Sequence, residues 1–163
     1  MKKAVAHMAK VMLLCGKVCC GKSWHARRMA QEAQAVILSV DEITRGLFPD
    51  GLGDMHDAVS ARVRAYLLGK AKEIAGCGTN VILDWGFWTR AMRQEAREGL
   101  AGAACEWYYI DIPDDRWEEN IRRRNAHAND PGSLDYYVDE GLKNKCLSLF
   151  EIPGEDEYDV RLT

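Results

Sequence analysis

Apolar residues along this chain fall into short unbroken runs, separated by longer stretches where they recur every three or four positions. Val11–Cys15, Ala35–Leu38 and Val81–Leu83 are continuous runs, the pattern of strands buried on both faces. Glu106–Ile112 is a fourth run, rich in aromatics and stopped by Pro113. Lys22–Ala33 reads as a helix between the first two strands. Asp54–Ala75 is the longest helical stretch: Val59, Val63, Tyr66, Leu67, Ala71 and Ile74 form one apolar stripe, and Gly76 and Gly78 end it. Thr89–Leu100 is helical with Thr89 as N-cap, and Asp114 and Asp115 suit the first turn of a helix running to about Asn125. Asn129-Asp130-Pro131-Gly132 signals a turn, Ser133–Phe150 a last helix and Tyr158–Leu162 a final strand. Strands thus alternate with helices throughout, which requires right-handed crossovers and a parallel sheet covered on both faces, an α/β fold. The 163 residues suit one domain spanning 1–163.

The first strand runs into Gly16-Lys17-Val18-Cys19-Cys20-Gly21-Lys22-Ser23, a full match to Gly-x-x-x-x-Gly-Lys-[Ser/Thr]. Glycines let the backbone wrap closely and turn its N–H groups toward phosphate oxygens. The following helix, starting through Ser23 and Trp24, adds unsatisfied donors and a positive dipole end. Lys22 is expected on the β- and γ-phosphates of ATP, and Ser23 on Mg²⁺.

Sheets of this class bind ligands beyond the carboxyl ends of their strands, where Lys22, Asp41 and Asp84 should converge. Asp41 is positioned to orient an acceptor hydroxyl and take its proton, or else, with Ser39, to cap the helix Glu42–Gly46. Asp84, a carboxylate at a buried strand end, needs a partner such as Mg²⁺ or the acceptor. Arg122-Arg123-Arg124 cannot all face one side of a helix, and Arg124 and then Arg123 are the candidates for stabilising the migrating phosphoryl group. Arg45 suits an anionic acceptor or a surface ion pair. Arg90 and Arg93 follow Asp84 by one to two turns and are secondary candidates for the acceptor side. Trp85, with Phe87 and Trp88, offers either a stacking platform for an acceptor ring or core packing. A GTPase is disfavoured, because Asn144-Lys145-Cys146-Leu147 lacks the aspartate that would read guanine.

Composition alters this picture little. A net charge of −3 disfavours, without excluding, a nucleic-acid acceptor. No segment approaches the ~20 apolar residues of a membrane span. His7 and Lys10 interrupt the run after Met1-Lys2-Lys3, against a signal peptide, so a cytoplasmic protein is expected. The six cysteines form no Cys-x-x-Cys pair and read as reduced structural thiols. Cys19 and Cys20 differ in lying within the phosphate loop, where the helix end and Lys22 favour thiolate.

Gly16–Ser23, Ser39-Val40-Asp41-Glu42, Val81-Ile82-Leu83-Asp84 and Arg124-Asn125, in that order, resemble the P-loop kinases grouped with AAA domains and related to polynucleotide kinase, zeta toxin and chloramphenicol phosphotransferase. The likeness covers nearly the whole chain. It implies a three-layer α/β/α P-loop NTPase sandwich with a five-stranded parallel sheet and a small helical lid at about residues 114–135. It also implies Asp41 facing the acceptor and Asp84 facing the acceptor or Mg²⁺. Trp24 stands where the family usually has threonine, and Arg45 follows Asp41 by four residues where polynucleotide kinase has a spacing of three. The function expected is γ-phosphoryl transfer from Mg-ATP to a hydroxyl of a small molecule or nucleic-acid end. The alternatives are a nucleotide-dependent ATPase, switch or binding module without an acceptor, and an RNA-end processing enzyme.

Overall fold

The structure is a computed structural model that describes residues 9–128, 130 and 136–163. The Met1-Lys2-Lys3 start, three residues of the Asn129–Gly132 turn and the first residues of the Ser133 helix expectation lie outside the described residues. So does part of the 114–135 lid region.

Five strands form one sheet: β1 (Lys10–Cys15), β2 (Ala35–Ser39), β3 (Asn80–Asp84), β4 (Ala104–Ile110) and β5 (Val160–Leu162). Their spatial order is β2-β3-β1-β4-β5, and every pairing is parallel. Six α-helices connect or follow them: α1 (Lys22–Ala33), α2 (Val40–Leu47), α3 (His56–Gly76), α4 (Arg90–Gly99), α5 (Asp114–His127) and α6 (Glu140–Leu149).

The continuous apolar runs are explained by burial on both sheet faces. Along β1, Val11, Leu13 and Cys15 join a core with Leu67, Leu68 and Ala71 of α3 and Ala96 of α4. Met12 and Leu14 point to the opposite core, with Ala26 of α1, Trp117 and Ile121 of α5 and Cys146 of α6. Side-chain alternation along a strand thus fills two cores and gives the three-layer α/β/α arrangement.

Helix starts follow local capping. Ser39 Oγ accepts from the Glu42 amide at 3.3 Å and Thr89 Oγ1 from the Met92 amide at 3.1 Å. Helix α6 begins at Glu140, later than the apolar pattern suggests, because Asp139, in extended backbone, caps it by accepting from the Leu142 amide at 2.7 Å, and residues 136–139 lie outside any helix. Strand β4 likewise ends at Ile110, two residues before the end of the aromatic run.

Candidate active site

The site lies at the carboxyl ends of β1, β2 and β3. Gly16 leaves β1 in a crevice too narrow for any side chain: an added Cβ would stand 2.5 Å from Cys20 Sγ and 3.1 Å from the Ile110 carbonyl oxygen. The Gly16 amide donates to the Gly86 carbonyl at 3.1 Å, tying the loop to the segment after β3. The loop turns through left-handed backbone at Cys19 (φ 57) and at Gly21 (φ 100), which caps α1. That geometry suits glycine and is held at Cys19 by its surroundings.

Lys22 curls back across its own loop, donating to the carbonyl oxygens of Gly16 (3.1 Å) and Lys17 (2.6 Å). Burial opposes its charge, but Cys20, Asp84, Tyr136 and Asp41 outweigh that and hold its pKa above the ordinary lysine value. Ser23 donates its hydroxyl to the Asp84 carboxylate. Burial raises the Asp84 pKa, Ser23 and Lys22 oppose the rise, and Asp41 adds to it. A hydroxyl and a carboxylate joined at the mouth of a phosphate loop fit Mg²⁺, which takes one or two protein oxygens and completes its shell with phosphates and water. No group of three or more His, Cys, Asp or Glu that could hold a metal ion exists among the described residues.

Asp41 lies in the first turn of α2 and is exposed. Ser39 takes the capping role, so the Asp41 carboxylate is not the cap. Its charge is felt by Lys22, Asp84 and Tyr136, which places it in the same crevice. Arg45, one turn further along α2, has its guanidinium 4.5 Å from the centre of the Tyr136 ring. Arg124 of α5 lies 4.1 Å from the same ring, donates through Nε to the Tyr136 carbonyl at 3.2 Å, and has Nη1 3.7 Å from Cys19 Sγ. Of its neighbours, Arg123 is exposed and Arg122 pairs with Glu119 on the outer face at 2.9 Å.

Helix α5 also braces the phosphate loop. Trp117 Nε1 donates to the Val18 carbonyl at 2.6 Å and Asn120 Nδ2 to the Cys19 carbonyl at 3.0 Å. Lys17 stacks its ammonium 4.4 Å over the Trp117 ring and pairs with Asp114 at 3.2 Å. Trp117, Asn120 and Tyr136 carry no sequence motif. The only signal for Trp117 is that an indole on an otherwise charged helix implies a packed face.

Four sequence expectations take a different place. Arg93 is 1% exposed and bonds through Nε and Nη2 to both carboxylate oxygens of Glu157, at 2.9 and 3.0 Å, and through Nη1 to the carbonyls of Phe87 and Glu151. With its donors spent inside the fold, it is a strut for the segment after β3 rather than a group for an acceptor. Trp85 packs on Phe87, which meets Trp107 edge-on, so these rings are core. Burial raises the Cys20 pKa despite Lys22, so this thiol stays protonated, against the thiolate expectation. Trp24 is exposed on α1, edge-on to His25 with Arg28 nearby, and among the described residues no contact ties it to the cluster around Lys22.

Residues 11–138, spanning the phosphate loop, β1–β4 and α5, match the family model described as AAA domain. The chain belongs to the AAA domain family. By sequence, no curated protein matches this AAA domain. Its fold is that of P-loop kinases. A sugar kinase from Janibacter sp. HTCC2649 superposes with a TM-score of 0.69 at 18% identity, over 94% of this chain and 84% of that one. The Mycobacterium tuberculosis APS kinase CysC, solved with AMPPNP and APS, gives a TM-score of 0.67 at 23% identity, over 96% and 88%. A chain of the Pnkp1/Rnl/Hen1 RNA repair complex gives 0.70 at 19% identity over 91% of this AAA domain, which spans 46% of that chain. Among the described residues, no helix is long and apolar enough to cross a membrane.

Proposed function

We propose that this AAA domain transfers the γ-phosphoryl group of ATP to an alcohol hydroxyl on a small molecule or nucleic-acid end. One domain would carry the whole site and work on the cytoplasmic ATP pool, with Arg124 of α5 beside the donor. The observation that carries the reading is the convergence of Lys22, the Ser23–Asp84 pair, Asp41 and Arg124 on one crevice at the strand ends.

Gly16–Ser23 would cradle the polyphosphate through main-chain N–H groups. Lys22 would exchange its loop carbonyls for phosphate oxygens. Mg²⁺, held by Ser23 and Asp84, would neutralise charge on the β- and γ-phosphates. Asp41 would align the acceptor hydroxyl. As the acceptor oxygen bonds to the γ-phosphorus and the bond to the β–γ bridging oxygen breaks, the hydroxyl proton passes to the Asp41 carboxylate and ADP leaves. Arg124 would stabilise the charge spread over the equatorial oxygens. In a loose transition state this alignment matters more than the strength of the base.

The test is transfer of labelled γ-phosphate to a mixed panel of nucleosides, 5′-hydroxyl oligonucleotides, aminoglycosides and sugars. Asp41→Asn should keep ATP affinity within about twofold while transfer falls roughly 10²- to 10⁴-fold, the range for a general base. Lys22→Ala should weaken both. Transfer by Asp41→Asn at the parent rate would remove the role given to Asp41.

A further inference from the structure

Tyr136 gathers two cations that belong to opposite sides of the crevice. Arg124 comes from α5 beside the phosphate loop, and Arg45 from α2 beside Asp41, yet both guanidinium groups lie within 4.5 Å of the same ring centre. The half-buried Tyr136 phenol also feels Asp41 and Lys22. Arg45 and Arg124 therefore meet at one ring in a crevice that also holds Lys22 and the Asp41 and Asp84 carboxylates. Phosphates of the nucleotide account for Lys22 and Arg124. They do not account for Arg45.

Arg45 carries a second mark. Its Nη2 nitrogen is buried and, among the described residues, has no hydrogen-bond acceptor. A buried guanidinium nitrogen without an acceptor is costly, and the aromatic ring satisfies only the face of the group, leaving its N–H edge unmet. Asp41 and Arg45 are four residues apart on α2, so they share a helix face about 6 Å apart along the axis. One molecule can therefore present a hydroxyl to the first and an oxyanion to the second.

Resting on the phosphotransfer reading above, we propose that Arg45 reads an oxyanion on the acceptor and that Tyr136 is the positioning residue holding Arg45 in place. The acceptor class is then an alcohol bearing a phosphate, sulfate or carboxylate about one helical turn from the hydroxyl it presents. Neutral sugars and unphosphorylated nucleosides are poor substrates. The part of Tyr136 that matters is its ring, which orients the planar guanidinium, and not its hydroxyl.

Calorimetry with inorganic sulfate as the probe, on protein first saturated with Mg-AMPPNP, tests this directly. Sulfate should bind the loaded parent saturably. Affinity should fall at least about tenfold in Arg45→Gln, which loses the fork of donors, and roughly fivefold in Tyr136→Leu, while Tyr136→Phe stays within about twofold. Parent-like AMPPNP affinity in each variant shows that the fold is retained. Sulfate binding that ignores Arg45→Gln overturns the acceptor class alone, and a Tyr136→Phe variant as weak as Tyr136→Leu overturns the positioning role. A protein that never binds AMPPNP overturns the phosphotransfer reading itself and this inference with it.

Discussion

Replacing Glu157 by glutamine isolates the charge that anchors Arg93. Glu157 is 7% exposed, accepts two bonds from Arg93, and receives the Gly154 amide at 3.0 Å. Hydrogen bonding to Arg93 lowers its pKa from 4.5 to about 2, against the opposing effect of burial. At 1.36 kcal/mol per pH unit, that lowering corresponds to about 3 kcal/mol of stability. The same order follows from breaking a buried pair, about 3–5 kcal/mol, because the Arg93 guanidinium is left with an uncompensated charge. A folded-state pKa below the unfolded value means that this stability is complete above pH 4.5 and drains away as pH falls toward about 2. Urea unfolding followed by tryptophan fluorescence should therefore place Glu157→Gln about 3 kcal/mol below the parent at pH 7, a large part of a domain's stability. At pH 3 the gap should have narrowed to about 1 kcal/mol, since glutamine resembles the protonated acid. A variant within about 1 kcal/mol of the parent at pH 7, or a gap that stays constant down to pH 3, would refute the reasoning.

Other outcomes follow from the same geometry. Gly16→Ala should lower nucleotide affinity at least about tenfold and cost about 1–3 kcal/mol of stability, and Cys20→Ala in the same chain should restore part of both, because Cys20 Sγ is the nearest obstacle. Equilibrium dialysis with labelled ATP reads the first effect and urea unfolding the second; no rescue would mean that the Ile110 carbonyl sets the limit. Asp84→Asn should stabilise the nucleotide-free protein by about 1 kcal/mol while abolishing Mg²⁺-dependent transfer. The sign follows from burial, which raises the Asp84 pKa and makes ionisation a cost absent below pH 3.8 and complete above the folded-state value. Thermal melts at pH 7 check it, and a lower melting temperature than the parent's would contradict the assignment.

The alternation of buried runs with amphipathic stretches was enough to read the parallel sheet, because strands such as Val11–Cys15 are covered on both faces and show no polar break. The phosphate loop was equally legible, since its glycines answer steric demands that leave a spaced signature. Side-chain destinations were not. Arg93 and Arg124 look alike in a sequence, yet one ends against Glu157, 64 residues away, and the other against the Tyr136 ring. Trp85 beside Asp84 reads equally well as platform or core, and only the packing with Phe87 and Trp107 separates the two. Tyr136 gave no signal, because its importance lies in what two other elements bring to it.

The bonds from Trp117 and Asn120 to the carbonyls of Val18 and Cys19 weld the root of α5 to the Gly16–Ser23 turn. Rotation of α5 about Pro113 would break both bonds, so the first two turns of the helix are tied to the loop. Arg124 stands one turn past that weld on the same helix. A change in the shape of the turn would thus reach Arg124 as a rigid-body tilt, mechanically rather than by diffusion of a loose arm.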